Sequence, residues 1–403
     1  MSIALISIYK NVFSNLQRNT WILAITMFIN RSGSMVLLFT SLYLTNDLHF
    51  SIGDAGFIMS FYGAGSVAGS YAGGWLTDKF SYFNTMLFSL ISCGLILLLI
   101  IPLKTMWPII IVIFFYSFAA DMFRPANSVA IADYSTPENR TRSVSLIRLA
   151  VNLGFSLGPA MGGLIAIKLG YKWLFIIDAC SSFAAAIMLY AYLPRKPKAA
   201  PVVKAEIAEP KSLSAYHNVP FLVFILLVAI YGTCFFQLFA SVPQYFSKVP
   251  KYTEDVIGYL LALNGILVVV IEMPLIYFIE KTRKMFAYIV AGTLCIPVAF
   301  FILKSGEGAI MWAVTYTLII TLSEILAMPF MMNYMLSISP PDRQGQYSAL
   351  YSIAFGLSII GAPLIGLTIA EKSGFDNMFT FFIVTGVLTA VGFLFMGKKL
   401  RKT

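Results

Sequence analysis

Charge is scarce in this chain. Asp, Glu, Lys and Arg make up 11% of its 403 residues, against 59% apolar side chains. A soluble domain usually carries about a quarter charged residues and could not hide so much apolar surface, so the bilayer is the expected solvent. Histidine is scarcer still: His49 and His217 lie in loops without acidic or thiol neighbours at ligand spacing, and no metal site is expected. The few cysteines, Cys93, Cys180, Cys234 and Cys295, fall within apolar runs and read as plain core residues rather than disulfides or ligands. There is no Walker A loop and no His-Glu-x-x-His, which removes ATP drive and metalloprotease chemistry. Residues 154–158 fit the Gly-x-Ser-x-Gly hydrolase pattern. Ser156, however, sits inside an apolar helical run rather than at a strand-to-helix turn, with no histidine placed to serve it. The expectation is a protein that is not an enzyme and needs no cofactor.

Long apolar runs are what the chain does have. A spanning helix needs about 20 apolar residues. Twelve such spans are expected, at roughly 21–44, 55–76, 84–103, 106–132, 143–167, 173–193, 220–243, 256–279, 285–303, 310–338, 346–370 and 377–396. The formal net charge of +10 invites a nucleic-acid reading, but its placement argues against one. With the N-terminus inside, the loops assigned to the cytoplasm hold 18 Lys and Arg, and the opposite loops hold 7. This asymmetry is the positive-inside pattern and puts both termini in the cytoplasm of a multi-pass inner-membrane protein. The first 19 residues, with Lys10 and Arg18 and no small-residue cleavage site, read as a retained lead-in. Residues 195–218 are the one long polar interruption and read as a cytoplasmic linker between an N-terminal bundle, 1–194, and a C-terminal bundle, 219–403.

Three arginines, Arg31, Arg124 and Arg148, remain inside spans. A charge there costs roughly 2.5–3.5 kcal/mol on insertion scales and persists where a partner or aqueous cavity receives it. Residues 116–166 concentrate such features. Asp121, Arg124 and Pro125 lie in one apolar run, and Arg148 and Asn152 lie in the next, followed by Gly154, Gly158, Pro159, Gly162 and Gly163. The glycines let helix backbones approach closely, and the prolines loosen the helices locally. Arg31 is read as a carboxylate anchor or as a structural partner of Asp121. Asp121 and Arg124, three apart on one helix face, either neutralise each other or let Asp121 exchange a proton for an arginine. Glu324 has no base within one helical turn and is the leading proton site; Glu272 is a second. Arg148 and Asp133 are expected to form a latch near the cytoplasmic ends of their spans. Asp178 is expected to be hydrated near the outer surface. Tyr62, Gln237, Asn264 and Asn333 are expected to line a cavity whose N-terminal wall is positive and whose C-terminal wall is negative.

The halves also repeat. An offset of about 202 residues places Gly63 on Gly265 and Asp78 on Glu280; an offset of about 203 places Asp121 on Glu324 and Gly158 on Gly361. With this, the chain resembles the major facilitator superfamily over essentially its whole length. GGWLTDKFSYFN is similar to that family's GxLaDrxGRr loop, keeping Gly74, Asp78 and Lys79 as gating residues. GFSLGPAMGG resembles the fifth-span signature of proton-linked drug antiporters. NRSGSMVLLFTSLYL, RPANS and SEILAMP are similar to segments of proton-coupled oligopeptide transporters, where Arg31, Arg124 and Glu324 match positions that handle the ends of a peptide. The resemblance implies an all-α membrane protein with 12 transmembrane helices in two pseudo-symmetric six-helix bundles. It would act as a monomer among membrane lipids, with a small-molecule substrate and protons as its partners and no nucleic acid. The expected function is proton-coupled efflux antiport of amphipathic cationic or zwitterionic compounds; the alternative is proton-driven import of small peptides or similar zwitterions.

Overall fold

The structure is a computed structural model and describes residues 13–14, 16–33, 39–40, 43–50, 52–195, 213–279, 282, 284–306 and 309–400. Six long helices come first: α1 Arg18–Gly33, α2 Ile52–Lys79, α3 Tyr82–Ile100, α4 Met106–Asp133, α5 Arg140–Lys168 and α6 Lys172–Tyr192. A short 3-10 turn, Ala215–His217, leads into α7 Val219–Phe235 and α8 Ser241–Lys248. They are followed by α9 Glu254–Ile279, α10 Met285–Ser305, α11 Ile310–Ile338, α12 Gln344–Ser373 and α13 Phe375–Leu400. No strand occurs among the described residues. Most of the linker, 196–212, lies outside them.

Local chemistry sets the helix ends. Ser81 caps α3 by accepting the Asn84 N–H, and Asn218 caps α7 by accepting the Phe221 N–H. Gly170 and Gly374, at φ +92 and +85, turn the chain after α5 and α12, a conformation glycine adopts without penalty. The expected span at 220–243 is broken. α7 and α8 are separated by a 3-10 turn at Phe236–Leu238, and together they form one apolar segment, Val219–Lys248. Pro243 in the first turn of α8 has no N–H for the Phe239 carbonyl, which removes the bond that would carry α7 straight through.

Nine segments among the described residues are long and apolar enough to cross a membrane. α1 and α2, where two further spans are expected, adjoin residues outside the described set, and α5, where a third is expected, has several side chains that are not described. Helices of 28–30 residues, such as α4, α5, α11 and α12, are about 42–45 Å long and overrun a hydrocarbon layer of about 30 Å. Large apolar side chains on α3, α10 and α13, among them Leu95, Phe301 and Leu388, point outward as lipid would require, while Asp121, Asp178, Glu272 and Glu324 point inward.

α1 packs on α5 and α6, α4 on α2 and α3, and α10 on α11 and α13. The first six helices meet the rest where α2 lies on α12 and where α5 lies on α9 and α11. Two glycines make close passages possible. A Cβ on Gly154 would lie 2.6 Å from Arg31 Cβ, so α5 presses on α1 at that arginine. A Cβ on Gly74 would lie 2.5 Å from both the Gly345 carbonyl oxygen and Ala349 Cβ, so α2 presses on α12.

Candidate functional site: two buried acids sharing one arginine

The seam between the two helix groups holds a three-charge cluster. Arg148 on α5 donates from Nε to Glu272 Oε1 at 2.9 Å and from Nη2 to Glu324 Oε1 at 2.8 Å. Its Nη1 also lies 3.2 Å from Met328 Sδ. Glu272 on α9 is 1% exposed and Glu324 on α11 is 8% exposed. Asn264 donates to Glu324 Oε2 at 3.2 Å and to Thr321 Oγ1 at 2.9 Å. Glu272 Oε2 is buried and accepts no hydrogen bond among the described residues. One base thus faces two acids, so the cluster carries one negative charge when all three are ionised. Single prolines follow each acid on its helix, Pro274 on α9 and Pro329 on α11, and each deletes a backbone bond one turn back.

This geometry corrects several expectations. Arg148 does not latch to Asp133, which accepts instead from the Tyr82 hydroxyl at 2.6 Å. The acids of the later helices do have a base, supplied across the seam by α5, so the second wall of the cavity is largely neutralised. Gln237 is fully buried and uses its amide N–H groups on the Thr233 and Ala362 carbonyls, while its Oε1 accepts from Ser241 at 2.5 Å. It clips α7 to α12 rather than lining a cavity. Asn333 donates to Thr141 Oγ1 at 2.7 Å, tying α11 to α5.

A second polar group lies inside the first six helices. Arg124 Nε is 2.7 Å from Asp121 Oδ1 along α4. Arg31 and Arg124 line a cavity with Asn30, Tyr62, Tyr116 and Asp178. About 50 Å3 of it is open to the centres of water-sized molecules, enough for a few waters. Asp178 is therefore not hydrated at an outer surface: it is 1% exposed, on the inward face of α6. Its depth along the helix was legible in the sequence, but its rotation about the axis was not. Among the cysteines, Cys93 and Cys234 are buried as expected, but Cys180 is exposed on the outer surface.

One end of the bundle, where Arg142 reaches the Ser14 carbonyl and the Tyr134 hydroxyl reaches the Pro194 carbonyl, is the near end. There Asp78, closing α2, accepts the backbone N–H groups of Gly345 at 2.6 Å and Gln346 at 2.9 Å. A carboxylate on the N-terminal turn of α12 meets both free donors and the positive end of the helix dipole. Arg142 lies over the Tyr277 ring at 5.2 Å, a further tie between α5 and α9. Tyr216 packs 6.2 Å from Tyr71, and burial, then Tyr71 and Asp78, push its phenol up to about 12. Lys79 turns outward over Trp75 at 4.6 Å. Gly158 and Gly162 are buried on α5; the environments of Pro159 and Gly163 lie outside the described residues.

Comparison with known proteins fits this architecture. The family model described as Major Facilitator Superfamily matches residues 21–363. YqjV, an MFS-type transporter of Bacillus subtilis (strain 168), is 23% identical over 390 residues, covering 95% of this chain and 94% of that protein. The quinolone resistance protein NorA of Staphylococcus aureus (strain Mu50 / ATCC 700699) is 24% identical over 251 residues, covering 61% of this chain and 63% of NorA. Among solved structures, the human organic anion transporter MFSD10 (TETRAN) superposes with a TM-score of 0.74 at 12% identity, covering 93% of this chain and 99% of that one. The proton:xylose symporter XylE superposes with a TM-score of 0.74 at 13% identity, covering 95% of each chain. The match across most of the chain, with helices arranged as in those structures, places this multi-pass membrane protein in the Major Facilitator Superfamily of transporters.

Proposed function

We propose that this chain exports amphipathic organic cations in exchange for protons, by alternating access between the 1–194 and 219–403 halves joined by the 195–218 linker. It sits in the inner membrane as a monomer with both termini in the cytoplasm, so the near end faces the cytoplasm. It performs no covalent chemistry and uses no cofactor; the proton is its coupling ion. The observation that carries the reading is the single arginine held by two buried acids of the other half. In a low-dielectric seam the remaining negative charge is completed either by a proton or by a substrate cation, so the two occupants exclude each other. Mutual exclusion across a site with alternating exposure is sufficient for exchange. A relative named for quinolone resistance supports a drug-like substrate.

Purified protein in liposomes with an imposed pH gradient tests this, with ethidium as the cation. Proton-driven ethidium movement is expected, and Glu324→Gln, which leaves the cluster neutral without a proton, should abolish it together with gradient-free exchange. Gradient-driven movement that survives in the Gln variant removes Glu324 as the coupling site. A second reading, proton-driven import of small peptides or similar zwitterions, is favoured by the Arg31, Arg124 and Asp121 grouping. Dipeptide accumulation with inward proton flow would select it over export.

A further inference from the structure

With one base and two acids, the seam cluster reaches neutrality when one of the two carboxyls carries a proton. Which acid carries it depends on what each oxygen faces. A protonated oxygen needs an acceptor, and an ionised one needs donors. Glu324 faces donors only: its Oε1 receives Arg148 Nη2 at 2.8 Å and its Oε2 receives Asn264 Nδ2 at 3.2 Å. The orientation of that amide is fixed from behind. Thr321 gives its hydroxyl proton to the Thr317 carbonyl at 2.6 Å, so toward Asn264 it can only accept, and it takes an Nδ2 N–H at 2.9 Å. A proton on either Glu324 oxygen would be driven against an N–H.

Glu272 is differently placed. Arg148 Nε occupies its Oε1 at 2.9 Å, while its Oε2 is buried and meets no donor among the described residues. Beside this carboxyl lies Ser145, on α5 one turn before Arg148 and on the same face. The Ser145 hydroxyl is buried and has no hydrogen-bond partner among the described residues either. Elsewhere in these helices Thr26, Ser128 and Ser135 give their hydroxyls to the carbonyl four residues back. Ser145 Oγ is thus an uncommitted acceptor next to the one carboxylate oxygen of the cluster that lacks a donor. The charged groups acting on Glu272 are Arg148 from α5 and Glu324 from α11, and the phenols of Tyr231 on α7 and Tyr351 on α12 border the cluster. We propose that the exchanged proton sits on Glu272 Oε2, donated to Ser145 Oγ, while Glu324 stays ionised as the standing counter-ion of Arg148. Ser145 is a positioning residue. It accepts from the neutral Glu272 and, by turning its hydroxyl, donates to the ionised one. The inference rests on proton–cation exchange at the seam and assigns the proton within it.

The test is infrared spectroscopy of the purified full-length chain, following the carbonyl stretch of protonated carboxyl groups as pH is raised. The cluster's band is the one that wild type loses with rising pH and that Glu272→Gln and Glu324→Gln both lack, since each of those variants is neutral without a proton. Ser145→Ala removes the acceptor, so the band should persist and move to higher frequency. Ser145→Thr, which keeps a hydroxyl, should return it to the wild-type position. Should Ser145→Ala fail to fold, Ser145→Cys, close in size and a weaker acceptor, carries the same expectation. A band unmoved by Ser145→Ala but moved by Asn264→Ala would put the proton on Glu324 and overturn the proposal, as would a band unmoved by either change or no such band at all. Ethidium exchange that fails while the band behaves as stated sinks the export reading and leaves this one standing; intact exchange with a band indifferent to Ser145 sinks only this one.

Discussion

Replacing Arg148 by methionine removes the one positive charge between two buried carboxylates while keeping much of the side-chain volume. Each acid lies within 3 Å of the guanidinium, at 2.9 and 2.8 Å. At an effective dielectric near 20, unit charges about 4 Å apart attract by roughly 4 kcal/mol. Desolvation of the arginine offsets much of that, and removing one partner of a buried pair generally costs about 3–5 kcal/mol. Proton uptake sets a ceiling on the loss. Protonating an ordinary glutamate, with a pKa of about 4.3, costs about 3.7 kcal/mol at pH 7. The variant cluster reaches neutrality with two protons and the wild-type cluster with one, so the folded variant binds one proton more. Where the folded state binds more protons than the unfolded chain, stability falls as pH rises, here by about 1.4 kcal/mol per pH unit relative to wild type. Unfolding of both proteins in detergent, followed from pH 5.5 to 8, should show a deficit that grows with pH. A deficit independent of pH, or none at all, would refute the charge count on which the proposed exchange depends.

Two further substitutions probe the frame around the site. Asp78→Asn removes the charge from two hydrogen bonds to the start of α12, each worth about 1.5–3 kcal/mol when charge-assisted. Spin labels at Lys79 and Arg343 should then show a larger population with the near end open; an unchanged distance distribution would mean that Asp78 does not hold it shut. Gly154→Ala places a methyl group 2.6 Å from Arg31 Cβ and should destabilise the fold by about 1–3 kcal/mol in detergent melts. Full stability in that variant would contradict the close apposition of α1 and α5.

Charges stranded in apolar runs were the most readable signal in the sequence. Because a buried charge is expensive wherever it lies, Arg31, Asp121, Arg124, Glu272 and Glu324 could be singled out without knowing any contact. The local pair Asp121 and Arg124 was legible too, because helix geometry fixes neighbours three apart. The partners of Arg148 were not legible. They lie 124 and 176 residues away, and their meeting depends on how α5 is set against α9 and α11. Burial about the helix axis was equally hidden, which is why Asp178 was misjudged and why Gln237 and Asn333 proved to be ties between helices. A hydropathy pattern that is apolar all round carries little directional information, and these spans have little amphipathic contrast.

Pairing across the seam also constrains biogenesis. Translation inserts Arg148 long before Glu272 and Glu324, so the guanidinium must wait in the nascent bundle, solvated by trapped water or lipid headgroups, until the late helices arrive. The two acids, by contrast, meet a counter-ion already in place. A polypeptide truncated after α6 would retain an orphan cation and should be a substrate for membrane quality control, and completion of α11 is the moment when the early helices cease to be one.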